Sequence, residues 1–162
     1  MTGFIRRKTP ASDLYPLARS ILFAGLSNSE LGIVESMLHT RQYQAGEIVF
    51  DEGDDGQALY IVRLGNIAIR TVTAWDTPVA VLGPGNFFGE MALLDQSLRS
   101  AQARAQTEST LSALYRGDFE RLLEAHSRIA SRLALQLARQ LGARLRGMLE
   151  DGGKRSDVAH HD

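Results

Sequence analysis

Between Tyr43 and Ala113 apolar residues tend to recur at every second position, and on either side of that stretch they recur at helical spacing. The pairs Ile48/Phe50, Leu59/Ile61, Ile67/Ile69, Val79/Val81 and Leu111/Ala113 alternate with polar or outward partners, the period of a half-buried strand. Glycine-rich or acidic turns separate them at short intervals, which predicts an antiparallel barrel or sandwich. Trp75-Asp76-Thr77-Pro78 reads as a hairpin tip, since Pro78 tolerates only a strand start or an edge. Trp75 is then either a local packing residue or a partner contact. Ahead of the strands, residues 13–23 and 27–38 carry helical spacing, with Ser27 and Glu30 placed as a capping box. Behind them, the pattern predicts a short helix over 118–125 and a long one from Ser127, as its cap, to about Glu150.

In the long helix Ile129, Leu133, Leu137, Leu141, Leu145 and Leu149 recur every fourth residue. An α-helix turns about 100° per residue, so a strict four-residue repeat drifts by about 40° each step. The stripe winds round the helix: its first half can face the barrel while its second half faces something else. Ala130, Ala134, Ala138, Gly142 and Ala143 would admit a second helix at close range. The expected layout is therefore α+β. A flexible N-terminus over 1–12 precedes one domain over 13–150, with its barrel at about 41–116 and C-terminal helices at 117–150. A disordered tail over 151–162 follows.

The chain has 162 residues, enough to bury a real core. Its formal net charge of −1 gives no global pull toward nucleic acid or an anionic membrane. Arg116, Arg121, Arg128, Arg132, Arg139, Arg144 and Arg146 make the last third basic, but they are scattered without aromatic interleaving and read as a solvated surface. Absence of cysteine removes disulfides, thiolate nucleophiles and Cys-based metal sites. No apolar run nears the roughly 18 residues of a membrane span, and no signal peptide opens the chain, so a cytoplasmic location is expected. The acidic run Asp51-Glu52-Asp54-Asp55 lacks the spacing of an EF-hand loop.

The chemistry concentrates in FFGEMALLDQSLRSAQA, residues 87–103. Gly89 lets backbone approach a ligand closely, because it has no Cβ. Met91-Ala92-Leu93-Leu94 reads as one helical turn whose first amides would face an anion. Arg99 brings a planar fork matched to phosphate. Glu90 repels a phosphate and instead suits an adjacent hydroxyl, for which a ribose 2′-OH is the natural candidate. Together these residues read as a pocket for a small phosphorylated nucleotide.

FGEMALL followed by Arg99-Ser100-Ala101 resembles the phosphate-binding cassette of the cyclic nucleotide-binding domain family. That family includes catabolite activators, protein kinase A regulatory subunits and cyclic nucleotide-gated channels. LFAGLSNSEL from Leu22 resembles its entry helices. AGEIVFDEGDDGQALYIVRLGNIAI from Ala45 resembles its first strands, with Gly46, Gly53 and Gly65 at turn positions. The resemblance covers roughly residues 20–150. It implies a β-roll of jelly-roll type with N-terminal helices and a long C-terminal lid helix. It also implies a cyclic nucleotide, cAMP or cGMP, held by Gly89, Glu90, Met91, Ala92, Arg99 and Ser100, with no cofactor, metal or catalysis. Ile69 and Val79 fall where apolar side chains line the base, or are ordinary barrel residues. Leu98 departs from the family's proline and leaves the loop less preorganised. Ser100 leans to cAMP, because catabolite activators also carry Arg-Ser, without excluding cGMP. Arg144 and Leu145 replace the Thr-Ser pair that reads adenine, so Arg144 either stacks on the purine or is solvated.

No helix-turn-helix, kinase or channel module accompanies the domain in these 162 residues. The expectation is a stand-alone sensor acting through an effector protein or a homodimer seam over 127–150, without DNA or membrane. The alternative is a dimerising scaffold, independent of ligand or binding a cyclic dinucleotide. An oxygenase of the cupin type would need metal-binding His and Glu on barrel strands, whereas the pattern puts His39, His126, His160 and His161 on helices or in the tail.

Overall fold

The computed structural model describes residues 10–158. Three 3₁₀ turns at Ala11–Asp13, Leu17–Arg19 and Ile21–Phe23 stand where a helix over 13–23 was expected. Pro16 and Ser20 cause the break, both being extended at ψ 129° and 133°. Proline has no N–H to continue a helical ladder. Helix α1 (Asn28–Met37) begins as anticipated, with the Glu30 amide donating to the Ser27 hydroxyl and the Ser27 amide donating to the Glu30 carboxylate.

Eight strands follow: β1 (His39–Tyr43), β2 (Ile48–Phe50), β3 (Ala58–Leu64), β4 (Ile67–Arg70), β5 (Ala80–Leu82), β6 (Phe87–Phe88), β7 (Gln102–Ala105) and β8 (Ser109–Tyr115). The four-residue helix α2 (Met91–Leu94) lies between β6 and β7. Helices α3 (Arg116–Ala125) and α4 (Ser127–Val158) end the described chain. Two antiparallel four-stranded sheets are ordered β1-β8-β3-β6 and β2-β7-β4-β5, the expected α+β roll.

The first sheet is covered on both faces, and this revises the expected alternation. Leu59, Ile61, Phe87 and Leu114 pack under the helices with Phe23, Phe119, Leu122, Ile129, Leu133 and Leu137. Tyr60, Val62, Phe88 and Leu111 face the barrel interior with Phe50, Ile67 and Ala103. Leu59/Ile61 therefore point at the helices, while Ile67/Ile69 do point into the barrel. A register shift between Ile48 and Phe50 leaves Ile48 exposed. In β5 the inward residue is Leu82, and Val79 and Val81 are exposed, because a one-residue slip exchanges the two faces of a strand. His39 lies on β1 and not on a helix, and its Nε2 is 3.1 Å from the Asp118 carboxylate. Residues 71–79 join β4 to β5 as a tip with Trp75 half exposed.

Helix α4 departs from expectation at both ends. Ala130 donates to the His126 carbonyl at 3.1 Å, so His126 and not Ser127 occupies the cap position. The helix then runs through Gly152-Gly153 to Val158, so residues 151–158 are helical where a disordered tail was expected. Extending a formed helix costs less than nucleating one, which offsets two poor helix formers. The expected tail at 159–162 and residues 1–9 of the expected flexible N-terminus lie outside the described residues. Ile129, Leu133 and Leu137 are buried, whereas Leu145, Met148 and Leu149 are exposed, as the drifting stripe requires. Among the described residues no helix is long and apolar enough to cross a membrane.

Candidate functional site

The turn after β6 builds the site. Gly89 has φ +75°, a left-handed conformation that costs an L-residue about 1–2 kcal/mol. A Cβ there would stand 2.6 Å from Nη1 of Arg99 and 3.2 Å from the Ala58 carbonyl oxygen. Glycine is required here both for the fold of the turn and for the approach of Arg99. Gly89→Ala is expected to destabilise the protein by about 1–2 kcal/mol and to displace the Arg99 fork; chemical denaturation and ligand titration of the same sample check both effects. In α2 the Ala92 amide donates to the Gly89 carbonyl at 3.3 Å and the Leu93 amide to the Glu90 carbonyl at 3.0 Å. These two amides are thus engaged within the turn, and α2 offers fewer donors to an anion than its sequence implied.

Arg99 is buried, with Nη1 donating to the Gly89 carbonyl at 3.0 Å and Nη2 to the Ala58 carbonyl at 2.7 Å. Its guanidinium carbon lies 4.0 Å above the Phe50 ring centre and 5.9 Å from that of Tyr60. Nε is buried without a partner among the described residues. Burial lowers the pKa of this group from the ordinary guanidinium value, while Tyr60 and the carboxylates of Asp54 and Glu90 oppose the shift. A desolvated cation with a spare donor is a strong anion site, because the cost of dehydrating it is already met by folding.

The loop carrying Arg99 is held by contacts that stand in for the missing proline. The Arg99 amide donates to Asp54, the Gly53 amide donates to the Arg99 carbonyl, each at 2.8 Å, and Asp55 and Leu98 form an isolated bridge. The Asp95 carboxylate accepts the Ser97 amide at 3.0 Å, and hydrogen bonds from Ser97 hold that carboxyl below its usual pKa. The acidic turn at 51–55 thus positions Arg99, a role its composition did not reveal. In sequence Arg116 belongs to the scattered basic surface of the last third. It ties the cassette down, donating from Nε to the Ala92 carbonyl at 2.8 Å and from Nη2 to the Gly56 carbonyl at 2.7 Å. Gly56 belongs to the same device, since a Cβ there would meet that of Ala92 at 2.7 Å. No local pattern marks these two residues.

A pocket of about 770 Å³ opens over the cassette, lined by every expected site residue: Ile69, Val79, Gly89, Glu90, Met91, Ala92, Arg99, Ser100 and Arg144. Ile69 and Val79 adjoin on its wall, the Val79 amide donating to the Ile69 carbonyl at 2.8 Å. Arg144 is half exposed, and it is paired rather than free in solvent. Its Nη1 is paired with Oε1 of the buried Glu90, and its guanidinium carbon lies 5.9 Å over the Phe87 ring. Gly147, Met148 and Asp151 complete the α4 side of the mouth. Among the described residues no group of three or more His, Asp or Glu could hold a metal. The arrangement can take one anion on Arg99, one hydroxyl on Glu90 and a flat apolar body against Ile69 and Val79.

Known proteins resemble the chain in sequence and in fold. The family model described as "cyclic nucleotide-binding domain" matches residues 40–126. The chain is 42% identical over 116 residues to a protein named cyclic AMP receptor protein from Thermus thermophilus, covering 70% of this chain and 54% of the relative. A cAMP-dependent protein kinase regulatory subunit from Emericella nidulans is 37% identical over 102 residues, 63% of this chain and 24% of the relative. The crystal structure of the Thermus thermophilus catabolite activator protein superposes with a TM-score of 0.76 at 39% identity, over 85% of this chain and 63% of that one. The chain spans about half the length of the first relative and a quarter of the second.

Proposed function

This chain belongs to the cyclic nucleotide-binding domain family, and on that premise we propose that it is a cyclic nucleotide sensor with cAMP as its preferred ligand. One observation carries the reading: Arg99 is a buried cation with a spare Nε donor, bonded to the Gly89 carbonyl and lining the pocket together with Gly89 and Glu90. The cyclic phosphate pairs with Arg99, the ribose 2′-hydroxyl donates to Glu90, and the purine lies between Ile69, Val79 and α4. Ser100 lies beside the phosphate and favours cAMP on the strength of the Arg-Ser pair. The binding unit is residues 13–150, and its role is recognition rather than catalysis, in keeping with relatives named as a receptor and a regulatory subunit. A cytoplasmic location suits such a ligand.

Isothermal titration with cAMP, cGMP and a cyclic dinucleotide tests the reading. Heat with cAMP at about micromolar affinity or tighter, weaker heat with cGMP and none with the dinucleotide is the expected order. A dinucleotide carries a second phosphate, for which the pocket has no second buried arginine. No heat with either mononucleotide sinks the proposal and leaves a ligand-independent scaffold.

Output through α4 is the second part of the proposal, read either by an effector protein or by a second copy. The apolar pair Leu145 and Leu149 is exposed on the distal half of the helix, outside the pocket lining, and favours the second copy. Sedimentation velocity is expected to show a dimer that Leu145→Glu with Leu149→Glu converts to monomer, with nucleotide titration unchanged. A wild-type monomer at micromolar concentration removes the homodimer.

A further inference from the structure

The chain has four methionines and no cysteine, so its only oxidisable sulfur is thioether sulfur. These methionines are not placed alike. Met37 is partly buried and packs against the core under the helices, and Met1 lies outside the described residues. Met91 and Met148 are 44% and 71% exposed, and both line the pocket. They reach it from separate elements, Met91 as the first residue of α2 and Met148 from α4. A peroxide therefore meets these two sulfurs from solvent, and whatever occupies the pocket meets them from inside. The wall they belong to is largely apolar, with Val79, Ala80, Leu82, Leu98 and Ala101. A thioether suits such a wall, because it is flexible, polarisable and favourable against a flat ring.

We propose that Met91 and Met148 form a modification site for peroxides, and that their oxidation weakens the hold of the pocket on nucleotide. In each event the sulfur lone pair attacks one peroxide oxygen, and the S–O bond forms as the O–O bond breaks. The displaced hydroxide takes the proton of the transferred hydroxyl and leaves as water. Sulfur gives up two electrons and the peroxide takes them. The product is a sulfoxide, polar and chiral where the thioether was apolar. A purine laid against it shuts the new oxygen off from water, which costs affinity as any buried polar group without a partner does. Methionine sulfoxide reductases return the thioether, so the change is reversible. The effect on affinity rests on the nucleotide reading of the pocket; the oxidation does not.

The test treats the full chain with hydrogen peroxide, without nucleotide, and follows each methionine by peptide mass spectrometry. Met91 and Met148 are expected to gain oxygen before Met37 does. Isothermal titration with cAMP before and after oxidation then gives the ratio of affinities, expected at about tenfold in favour of the untreated chain. Leucine keeps the volume of methionine and takes no oxygen. In the chain carrying both Met91→Leu and Met148→Leu the same ratio is expected to fall to about one, whatever its starting affinity. Treating the oxidised native chain with methionine sulfoxide reductases of both stereospecificities restores its affinity, which separates the effect from irreversible damage. Thermal unfolding of each sample shows that the fold is kept.

Oxidation of Met37 as fast as that of Met91 and Met148 overturns the site. So does unchanged affinity in a chain that carries both sulfoxides, or an equal loss in the double leucine variant, which would place the damage elsewhere. Because oxidation is read without nucleotide, a chain that binds neither cAMP nor cGMP removes the nucleotide reading, while the order in which the methionines gain oxygen still decides the modification site.

Discussion

Arg99→Ala is expected to abolish nucleotide binding at accessible concentrations, a loss of about 100-fold or more, in a protein that still folds. The size follows from the state of the side chain. Arg99 is already dehydrated by folding and already aimed, two of its nitrogens tied to the Gly89 and Ala58 carbonyls. A phosphate meeting it gains charge-assisted hydrogen bonds at about 1.5–3 kcal/mol each without a fresh dehydration cost on the protein side. Two such bonds account for roughly 3 kcal/mol, and about 1.4 kcal/mol is a factor of ten. Arg99→Lys keeps the charge and loses the planar fork, so it is expected to recover only part of the affinity. Stability of the free protein moves less, because two carbonyls lose donors while a costly buried cation is removed. Differential scanning fluorimetry reads this directly. Ligand at about 100 times its Kd stabilises the native state by roughly 2.7 kcal/mol, visible as a rise in Tm for the Arg99 protein and absent in Arg99→Ala. An unchanged rise in the variant would falsify the assignment of Arg99 to the anion.

Gly65→Ala is expected to be the most destabilising of the single substitutions considered, at about 3 kcal/mol or more, and to lower Tm by roughly 6–12 °C. Gly65 turns the chain from β3 in one sheet to β4 in the other with φ +82°. A Cβ there would lie 2.3 Å from the Glu108 carbonyl oxygen, 2.3 Å from the Ser109 hydroxyl and 2.8 Å from the Ser109 Cα. These are mostly backbone atoms at the entry to β8, a strand buried from Ser109 through Leu114, so they have no room to yield. Gly46→Ala is the control: φ is +88°, yet nothing lies within 4 Å of the added carbon, and only the backbone cost of about 1–2 kcal/mol applies. Equal losses in the two variants, measured by urea unfolding, would show that the overlap at Gly65 is relieved by local movement.

The parts of this protein that its sequence alone determines are those set by near neighbours along the chain. The Ser27–Glu30 capping box spans four residues, and it forms as the sequence implies. Gly89, Glu90 and Arg99 fall within eleven residues, and a short turn can hardly keep them apart. The burial of Ile129, Leu133 and Leu137, against the exposure of Leu145 and Leu149, follows from helical geometry applied to a four-residue repeat. Tertiary structure decided what pairs residues far apart or what depends on a second layer. Alternation in β3 signals a strand but not which face meets helices and which meets the barrel; both are buried, so the pattern carries no choice between them. Val79 and Val81 share a two-residue period with their neighbours Ala80 and Leu82, and only pairing with β4 decided which pair turned inward. The same holds for Arg116, bonded to carbonyls 24 and 60 residues away, for the Phe50 ring beneath Arg99, and for Arg144 on Glu90. An arginine on a helix surface looks the same in sequence whether it faces water or a buried carboxylate. Only the packing of α4 over the barrel brings the two charges together, and it gives the buried Glu90 carboxylate a partner.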